Sequence, residues 1–111
     1  GMPGTLNLER SDKVNAFIDY AFENGKLLCA ICAAPSILGH KGMLKGKKAV
    51  CFPGFESELE GAEFSDSFVV SHGNIITAKG MGSAVKFGLA IASVLVGEAK
   101  AKKIEESLQC S

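Results

Sequence analysis

The sequence predicts an α/β sandwich with a mainly parallel sheet. Apolar, strand-like runs alternate with amphipathic helical segments, hydrophobic residues make up 47% of the 111 residues, and 13 glycines provide sites for tight turns. The length predicts a single domain over residues 1–111. Because 12 basic residues balance 12 acidic ones, charge gives no reason to expect binding to nucleic acid or to an anionic membrane.

The predicted elements follow one another with clear boundaries. Residues 1–10 are expected to be irregular, and Ser11 can cap a helix that ends near Asn24, before the stop signal Gly25. The apolar face of this helix is expected to contain Val14, Phe17, Ile18, Ala21 and Phe22. The remaining elements are a buried strand over 26–31, a helix over 35–40, a strand over 48–52, a short helix or extended segment over 55–60, a hairpin of strands 67–71 and 74–78, and helices over 84–96 and 98–108.

The helix over 84–96 is apolar nearly all round, so it is expected to be largely buried, with Ser83 as its N-cap. The strand over 26–31 is the most apolar strand and should therefore be central, with neighbours on both sides. The chain has too few strands to supply both neighbours. This deficit predicts that one edge of the sheet is left open.

Cys32 is the strongest candidate for a functional residue. It lies between an apolar strand and Pro35, a residue suited to the first turn of a helix, and small residues, Ala30 and Ala34, lie two places to either side. This pattern is typical of a nucleophile elbow, in which a tight strand-to-helix turn exposes the side chain. The helix dipole and nearby backbone N–H groups favour a thiolate there. The alternative is a small buried cysteine with no function.

The other cysteines give weaker signals. Cys29 and Cys32 match a CxxC pattern, but strand residues three apart point to opposite faces, and no second pair follows for zinc. Cys51 could approach Cys32, although a core role is favoured, and Cys110 is expected to be an exposed thiol. The sequence shows no signal peptide and no apolar run that could span a bilayer, which predicts reduced thiols in a cytoplasmic protein.

Several further polar residues are expected to be structural. His40 is predicted at a helix C-terminus and His72 at a solvated hairpin tip, and neither resembles a catalytic base. The turn 80–82 lacks the Lys-Ser/Thr of a phosphate loop. An acidic cluster is predicted to form a solvated face, and one of its members is a weak candidate for bordering a pocket: Glu56, Glu58, Glu60 and Glu63.

Several segments, taken together and in order, resemble the ThiJ/PfpI family of the class I glutamine amidotransferase-like superfamily, which includes the parkinsonism-associated deglycase. The segments are Ala30–Pro35, Gly42–Lys48, Cys51–Gly54, Ile75–Ala84 and Phe87–Ile91. The resemblance implies a flavodoxin-like, three-layer αβα sandwich. It covers only the C-terminal half of the family fold, so we expect a truncated domain that lacks the first βαβαβ segment.

The resemblance also implies site residues. Cys32 would be the nucleophile and the backbone N–H of Ala33 an oxyanion donor, with no metal and no cofactor. The family pairs its cysteine with a glutamate from the first strand region, and nothing in this chain matches that glutamate. Peptidase-like members place a histidine directly after the cysteine, so Ala33 argues against a Cys-His hydrolase.

The resemblance leaves three functions open, and with them whether the chain is an enzyme. The first is a protein that is weakly active or inactive alone and depends on self-association or on a complementing N-terminal half. The second is a cysteine-dependent hydrolase or lyase of glyoxalase or deglycase type, acting on small carbonyl compounds. The third is a redox-sensing thiol protein. A role in stress response would accord with each of them.

Overall fold

The computed structural model describes residues 1–110, which form five α-helices and five short strands. In chain order these are α1 (Gly4–Arg10), α2 (Asp12–Glu23), β1 (Leu28–Ile31), α3 (Pro35–His40), β2 (Lys48–Ala49), β3 (Glu63–Phe64), β4 (Val69–His72), β5 (Ile75–Ala78), α4 (Ala84–Val96) and α5 (Glu98–Leu108). Two single 3-10 turns, Glu56–Glu58 and Met81–Ser83, lie in the connections.

The main sheet is mixed and has the order β1-β5-β4. β1 pairs with β5 in parallel, with Leu28 opposite Ile75, and β4 pairs with β5 in the predicted antiparallel hairpin. Gly73 makes the hairpin turn at φ +60°, a left-handed conformation that glycine adopts without strain. All four residues of β5 are buried, so both faces of this central strand are covered. The architecture is therefore α/β with a mixed sheet, compatible with an αβα sandwich.

The strand predicted over 48–52 is shorter than expected. β2 contains only Lys48 and Ala49 and pairs in parallel with β3 in a separate two-stranded sheet. The next residue leaves the ladder because the N–H of Val50 donates to the side-chain hydroxyl of Thr77, at 3.0 Å, instead of to a strand carbonyl. Both residues are almost completely buried, so this hydrogen bond ties the smaller sheet to β5.

The core lies around α3, β1 and the turn that follows α3. Its buried apolar residues include Leu38, Leu44, Ala49 and Cys51, and Ile18 and Phe22 of α2 pack against it. The N-terminal cap of α2 is the predicted one, since the Ser11 hydroxyl accepts from the N–H of Val14 at 3.3 Å. The predicted apolar face of α2 is only partly right, because Phe17 is 77% exposed.

The expectation of an irregular N-terminus was wrong, because residues 4–10 form α1. The helix has no side-chain cap. It is held at its start by the buried Thr5, whose hydroxyl donates to the carbonyl of Gly1 at 3.2 Å. At its end, the side-chain amide of Asn15 donates to the carbonyl of Glu9 at 2.7 Å. These contacts with neighbouring residues stabilise a helix that would be marginal alone.

The expected burial of α4 was also wrong. The helix contacts β1, β4 and β5, yet none of its 13 residues is buried. The reason is that only one face lies on the sheet, while the outer face leaves Val85, Val94, Leu95 and Val96 exposed. Its cap differs as well. The Ser83 hydroxyl makes no bond to α4 and instead closes the preceding turn by hydrogen bonds to Gly80.

The predicted open edge of the sheet is confirmed. Among the described residues β1 has a neighbour on one side only, β5, so the most apolar strand is an edge strand and not a central one. Cys29 is exposed on this edge. An apolar strand with unpaired backbone groups is a surface on which another strand can pair.

Candidate active site at the Cys32 elbow

Cys32 occupies the strained backbone position that a nucleophile elbow requires. It directly follows β1, three residues before the first residue of α3, and its φ is +66°. Left-handed backbone costs a non-glycine residue roughly 1–3 kcal/mol and persists only where the surroundings enforce it. Here two hydrogen bonds do so: the Cys32 N–H donates to the carbonyl of Ala78 at 2.9 Å, and its carbonyl accepts from the N–H of Phe52 at 2.8 Å.

The residues around Cys32 explain why the chain turns here. Ala30 and Ala34 are small, as predicted, and Pro35 is the first residue of α3, where its missing N–H costs nothing. The Ser36 hydroxyl donates to the carbonyl of Ala33 at 2.6 Å and is itself buried. The predicted strand–turn–helix is therefore present, with Cys32 half-buried at its apex.

The backbone N–H of Ala33, the predicted oxyanion donor, differs from those of its neighbours. Within residues 1–110 its N–H makes no hydrogen bond, although the neighbouring N–H groups of Cys32, Ala34 and Ser36 are all bonded. A free backbone N–H on the residue after a nucleophile can donate to a negatively charged oxygen formed beside that nucleophile. The role itself remains a prediction.

The other thiols lie in different surroundings, and no disulfide links the four cysteines. Burial raises the pKa of the Cys51 thiol to about 11, with smaller contributions from the charges of Glu56 and Cys32. Partial desolvation also raises the pKa of Cys29, although that residue as a whole is exposed on the edge strand. Cys110 is exposed near the C-terminus, as predicted.

The two histidines hold structure together. His40 ends α3, as predicted, and its Nδ1 and Nε2 contact the carboxylates of Glu9 and Glu58 at 2.5 and 3.1 Å. The hydrogen bond with Glu9, and to a smaller extent the one with Glu58, raises the pKa of His40. The prediction of a merely solvated His72 was wrong, because its Nδ1 accepts from the N–H of Lys48 at 3.2 Å and joins β4 to β2.

All four members of the acidic cluster are exposed, as expected, and Glu56 makes a local contact in addition to that of Glu58 with His40. Glu56 accepts from the N–H of Gly54 at 2.6 Å, which fixes the loop after Cys51.

No group of three His, Cys, Asp or Glu side chains in residues 1–110 is arranged to hold a metal ion. None of the helices described is long and apolar enough to cross a membrane.

Two residues beside the elbow were missed by sequence reasoning. Phe52 holds the Cys32 carbonyl through its N–H, and Lys79 follows Ala78, the residue paired with the last position of β1. Lys79 directly follows the last residue of β5, which is parallel to β1. The C-terminal ends of parallel strands lie at the same edge of a sheet, so Lys79 and Cys32 come at the same edge. That pairing depends on tertiary structure, so the local sequence alone did not indicate it.

The fold and the elbow define a class of protein: an α/β protein that presents a cysteine on a strained strand-to-helix turn. The comparisons with known proteins identify the family. The profile of the DJ-1/PfpI family matches residues 1–94, so the chain belongs to the DJ-1/PfpI family. This confirms the resemblance to ThiJ/PfpI proteins.

Individual relatives agree with this assignment. Protein dj-1beta of Drosophila melanogaster is 33% identical over 110 residues, which cover 97% of this chain and 59% of the relative. The solved structure of oxidized Toxoplasma gondii DJ-1 superposes with a TM-score of 0.92 at 34% identity, over 98% of this chain and 60% of that one. A deglycase of Pyrococcus horikoshii is 31% identical over 83 residues, 70% of this chain and 50% of the relative. The chain thus spans between one half and three fifths of the length of these three proteins.

Proposed function

We propose that residues 1–111 carry the nucleophile half of a cysteine-dependent site that acts on small carbonyl compounds, in the manner of glyoxalase- or deglycase-type enzymes. The observation that carries the proposal is the left-handed backbone of Cys32 beside the unbonded N–H of Ala33. Membership of a family that includes a deglycase supports the substrate class.

The proposed step is addition of a thiolate to a carbonyl. The sulfur of Cys32 attacks the carbonyl carbon and forms a C–S bond, while the π electrons of the C=O bond move to the oxygen. The Ala33 N–H donates to that oxyanion. A proton from water then completes a hemithioacetal. Within residues 1–111 no residue matches the family's partner glutamate, so in this proposal the elbow is what these residues contribute to the thiolate.

We further propose that the chain alone is weakly active or inactive and needs a second copy or a complementing segment. The support is the apolar edge strand β1 together with the outer face of α4, which leaves Val94, Leu95 and Val96 in solvent. Exposed apolar surface of this kind marks an interaction site. Covering β1 would also enclose the strand that leads into Cys32.

The first test is the order in which the thiols react. Under native conditions at neutral pH, mass spectrometry after a limiting dose of iodoacetamide should find Cys32 labelled well before Cys29 and Cys51. Burial and a raised pKa protect Cys51 from the reagent. Cys29 is the more stringent comparison, because it is exposed and the reagent can reach it. Equal labelling of Cys29 and Cys32 would contradict a reactive elbow.

The second test separates chemistry from assembly. Methylglyoxal turnover should be low, should be abolished by Cys32→Ser and should be kept by Cys29→Ser. Analytical ultracentrifugation over a range of concentrations should show self-association. A stable monomer at high dilution that turns over methylglyoxal rapidly would disprove the proposed dependence on a partner.

A redox-sensing thiol is the second candidate, favoured by one observation. Cys32 and Cys51 lie on adjoining segments, because the N–H of Phe52, the residue after Cys51, donates to the Cys32 carbonyl at 2.8 Å. A similar structure, that of Toxoplasma gondii DJ-1, is of an oxidized protein. Mass spectrometry after graded hydrogen peroxide should find added oxygen on Cys32 first if this function holds.

A further inference from the structure

A short segment, residues 52–59, runs along α3 from one end of the helix to the other, and we call it the strap. At its start the N–H of Phe52 donates to the carbonyl of Cys32 at 2.8 Å, just before α3 begins. At its other end the backbone of Glu58 packs on Gly39, so closely that a Cβ on this glycine would lie 2.1 Å from the Glu58 carbonyl oxygen. The strap is therefore attached at both ends of the helix.

The strap is one structural unit, and it covers a thiol. Turn hydrogen bonds join its residues, from the N–H of Phe55 to the carbonyl of Phe52 at 3.1 Å and from the N–H of Glu58 to the carbonyl of Phe55 at 2.9 Å. Cys51, the residue before the strap, is 0% exposed, and the backbone of Phe55 hydrogen-bonds to its sulfur. A reagent in solvent therefore reaches Cys51 only when the strap opens or the whole domain unfolds.

His40, the last residue of α3, ties the strap to α1. Its Nδ1 contacts Glu9 of α1 at 2.5 Å, and its Nε2 contacts Glu58 of the strap at 3.1 Å. An imidazolium can donate to both carboxylates, whereas a neutral imidazole carries one N–H and can donate to only one of them. Because the contact with Glu9 is the shorter one, the neutral ring keeps its proton on Nδ1, and the contact with Glu58 is the one that is lost.

Charged residues next to this histidine have partners of their own. Lys41 contacts Asp19 of α2 at 2.7 Å, and Glu56 accepts a hydrogen bond from a backbone N–H within the strap. The hydrogen bonds with the α1 and strap carboxylates are the main cause that raises the pKa of His40. The ring is therefore charged below its ordinary pKa of 6.5 and loses its charge at a higher pH than an isolated histidine does.

We infer that the strap is a pH-sensitive cover over Cys51 and that His40 is the positioning residue that latches it. The imidazolium keeps the strap closed on α3. As the pH rises through the raised pKa of the histidine, the contact with Glu58 is lost and the strap opens more often. Because Phe52 holds the Cys32 carbonyl, each opening also removes one of the two supports of the elbow. This device does not depend on the reaction that Cys32 performs.

The test measures how often Cys51 becomes accessible. Wild type and His40→Gln receive short pulses of N-ethylmaleimide between pH 6 and pH 9, and peptide mass spectrometry gives the labelling rate of each cysteine. At pH 6 the variant should label at Cys51 about two- to fivefold faster than wild type, the size expected for exposed ion pairs. The two rates should converge toward pH 9. Their ratio at each pH is independent of the titration of the thiol itself.

Control variants separate the latch from overall stability. Glu58→Gln removes the charge on the strap and should raise the Cys51 rate at pH 6 by a similar factor. Lys41→Gln breaks the neighbouring ion pair, which joins the end of α3 to α2 and not to the strap, so it should leave the rate unchanged. Opening of the strap alone exposes little surface, so the rate should stay nearly constant up to about 1 M urea.

Three results would each overturn the inference. They are a Cys51 rate in His40→Gln equal to that of wild type at pH 6, an equal acceleration by Lys41→Gln, and a rate that rises with urea as steeply as global unfolding does. The same digests contain Cys32 and Cys29. An elbow that reacts no faster than Cys29, which contradicts the proposed function, is therefore detected separately.

Discussion

Helices α3 and α4 are both rich in apolar residues, yet they lie in opposite surroundings. Five of the six residues of α3 are buried, whereas α4 has 13 residues and none is buried. α3 is enclosed by β1, the turn after it and the Glu56–Glu58 turn, while α4 rests on the sheet by one face. Burial therefore depends on which elements are present to cover a helix, and apolar content alone does not secure it.

The largest expected contrast comes from one leucine in each helix. Leu38→Ala, at 3% exposure in α3, should lower the free energy of unfolding by about 2–5 kcal/mol because it leaves a cavity. Leu95→Ala, at 67% exposure in α4, should change it by less than about 0.5 kcal/mol. Urea denaturation of dilute protein measures both. A Leu95→Ala loss as large as that of Leu38→Ala, growing with protein concentration, would mean that α4 is covered by another copy.

A pair of glycines sharpens the same contrast. A Cβ at Gly39 would lie 2.1 Å from the carbonyl oxygen of Glu58, so Gly39→Ala must displace backbone and should cost about 1–3 kcal/mol. A Cβ at Gly88 would meet nothing within 4 Å, so Gly88→Ala should stabilise α4 by about 0.5–1 kcal/mol. Thermal unfolding followed by circular dichroism should show shifts of opposite sign. Shifts of the same sign would refute the described packing of one of the two helices.

The smallest expected effect is a pH dependence at the end of α3. Because Glu9 and Glu58 raise the pKa of His40 above its usual 6.5, this histidine stabilises the fold fully below pH 6.5 while both carboxylates are charged. The contribution is lost as the pH rises through the raised pKa. It should be under about 1 kcal/mol, since the three side chains are 28–48% exposed.

Urea titrations between pH 6 and pH 9 measure this effect. The free energy of unfolding of His40→Gln should fall furthest below that of wild type near pH 6, and the difference should disappear toward pH 9. Glu9→Gln should show part of the same change. Parallel pH profiles for wild type and His40→Gln would exclude an electrostatic role for the histidine.

Local signals predicted most of the fold and the position of the elbow. The Ser11 cap, the Pro35 start of α3 and the Gly73 turn act within a few residues, so the sequence alone indicated them. The short β2 depends on the Thr77 hydroxyl, which lies far away in the chain, and the exposure of α4 depends on what covers it. That Ala78 lies next to Cys32 depends on the pairing of β5 with β1, which no local pattern indicates.

The two hydrogen bonds that hold the Cys32 backbone have a consequence for how the protein folds. Their partners, Phe52 and Ala78, enter the structure from segments much later in the chain. Contacts between distant segments form slowly, because loop closure must precede them. During folding the strained turn has no support until both segments have docked, so the shape of the elbow is acquired late and all at once. A newly made chain would therefore carry an ordinary cysteine first and an elbow cysteine only on completion of the sheet.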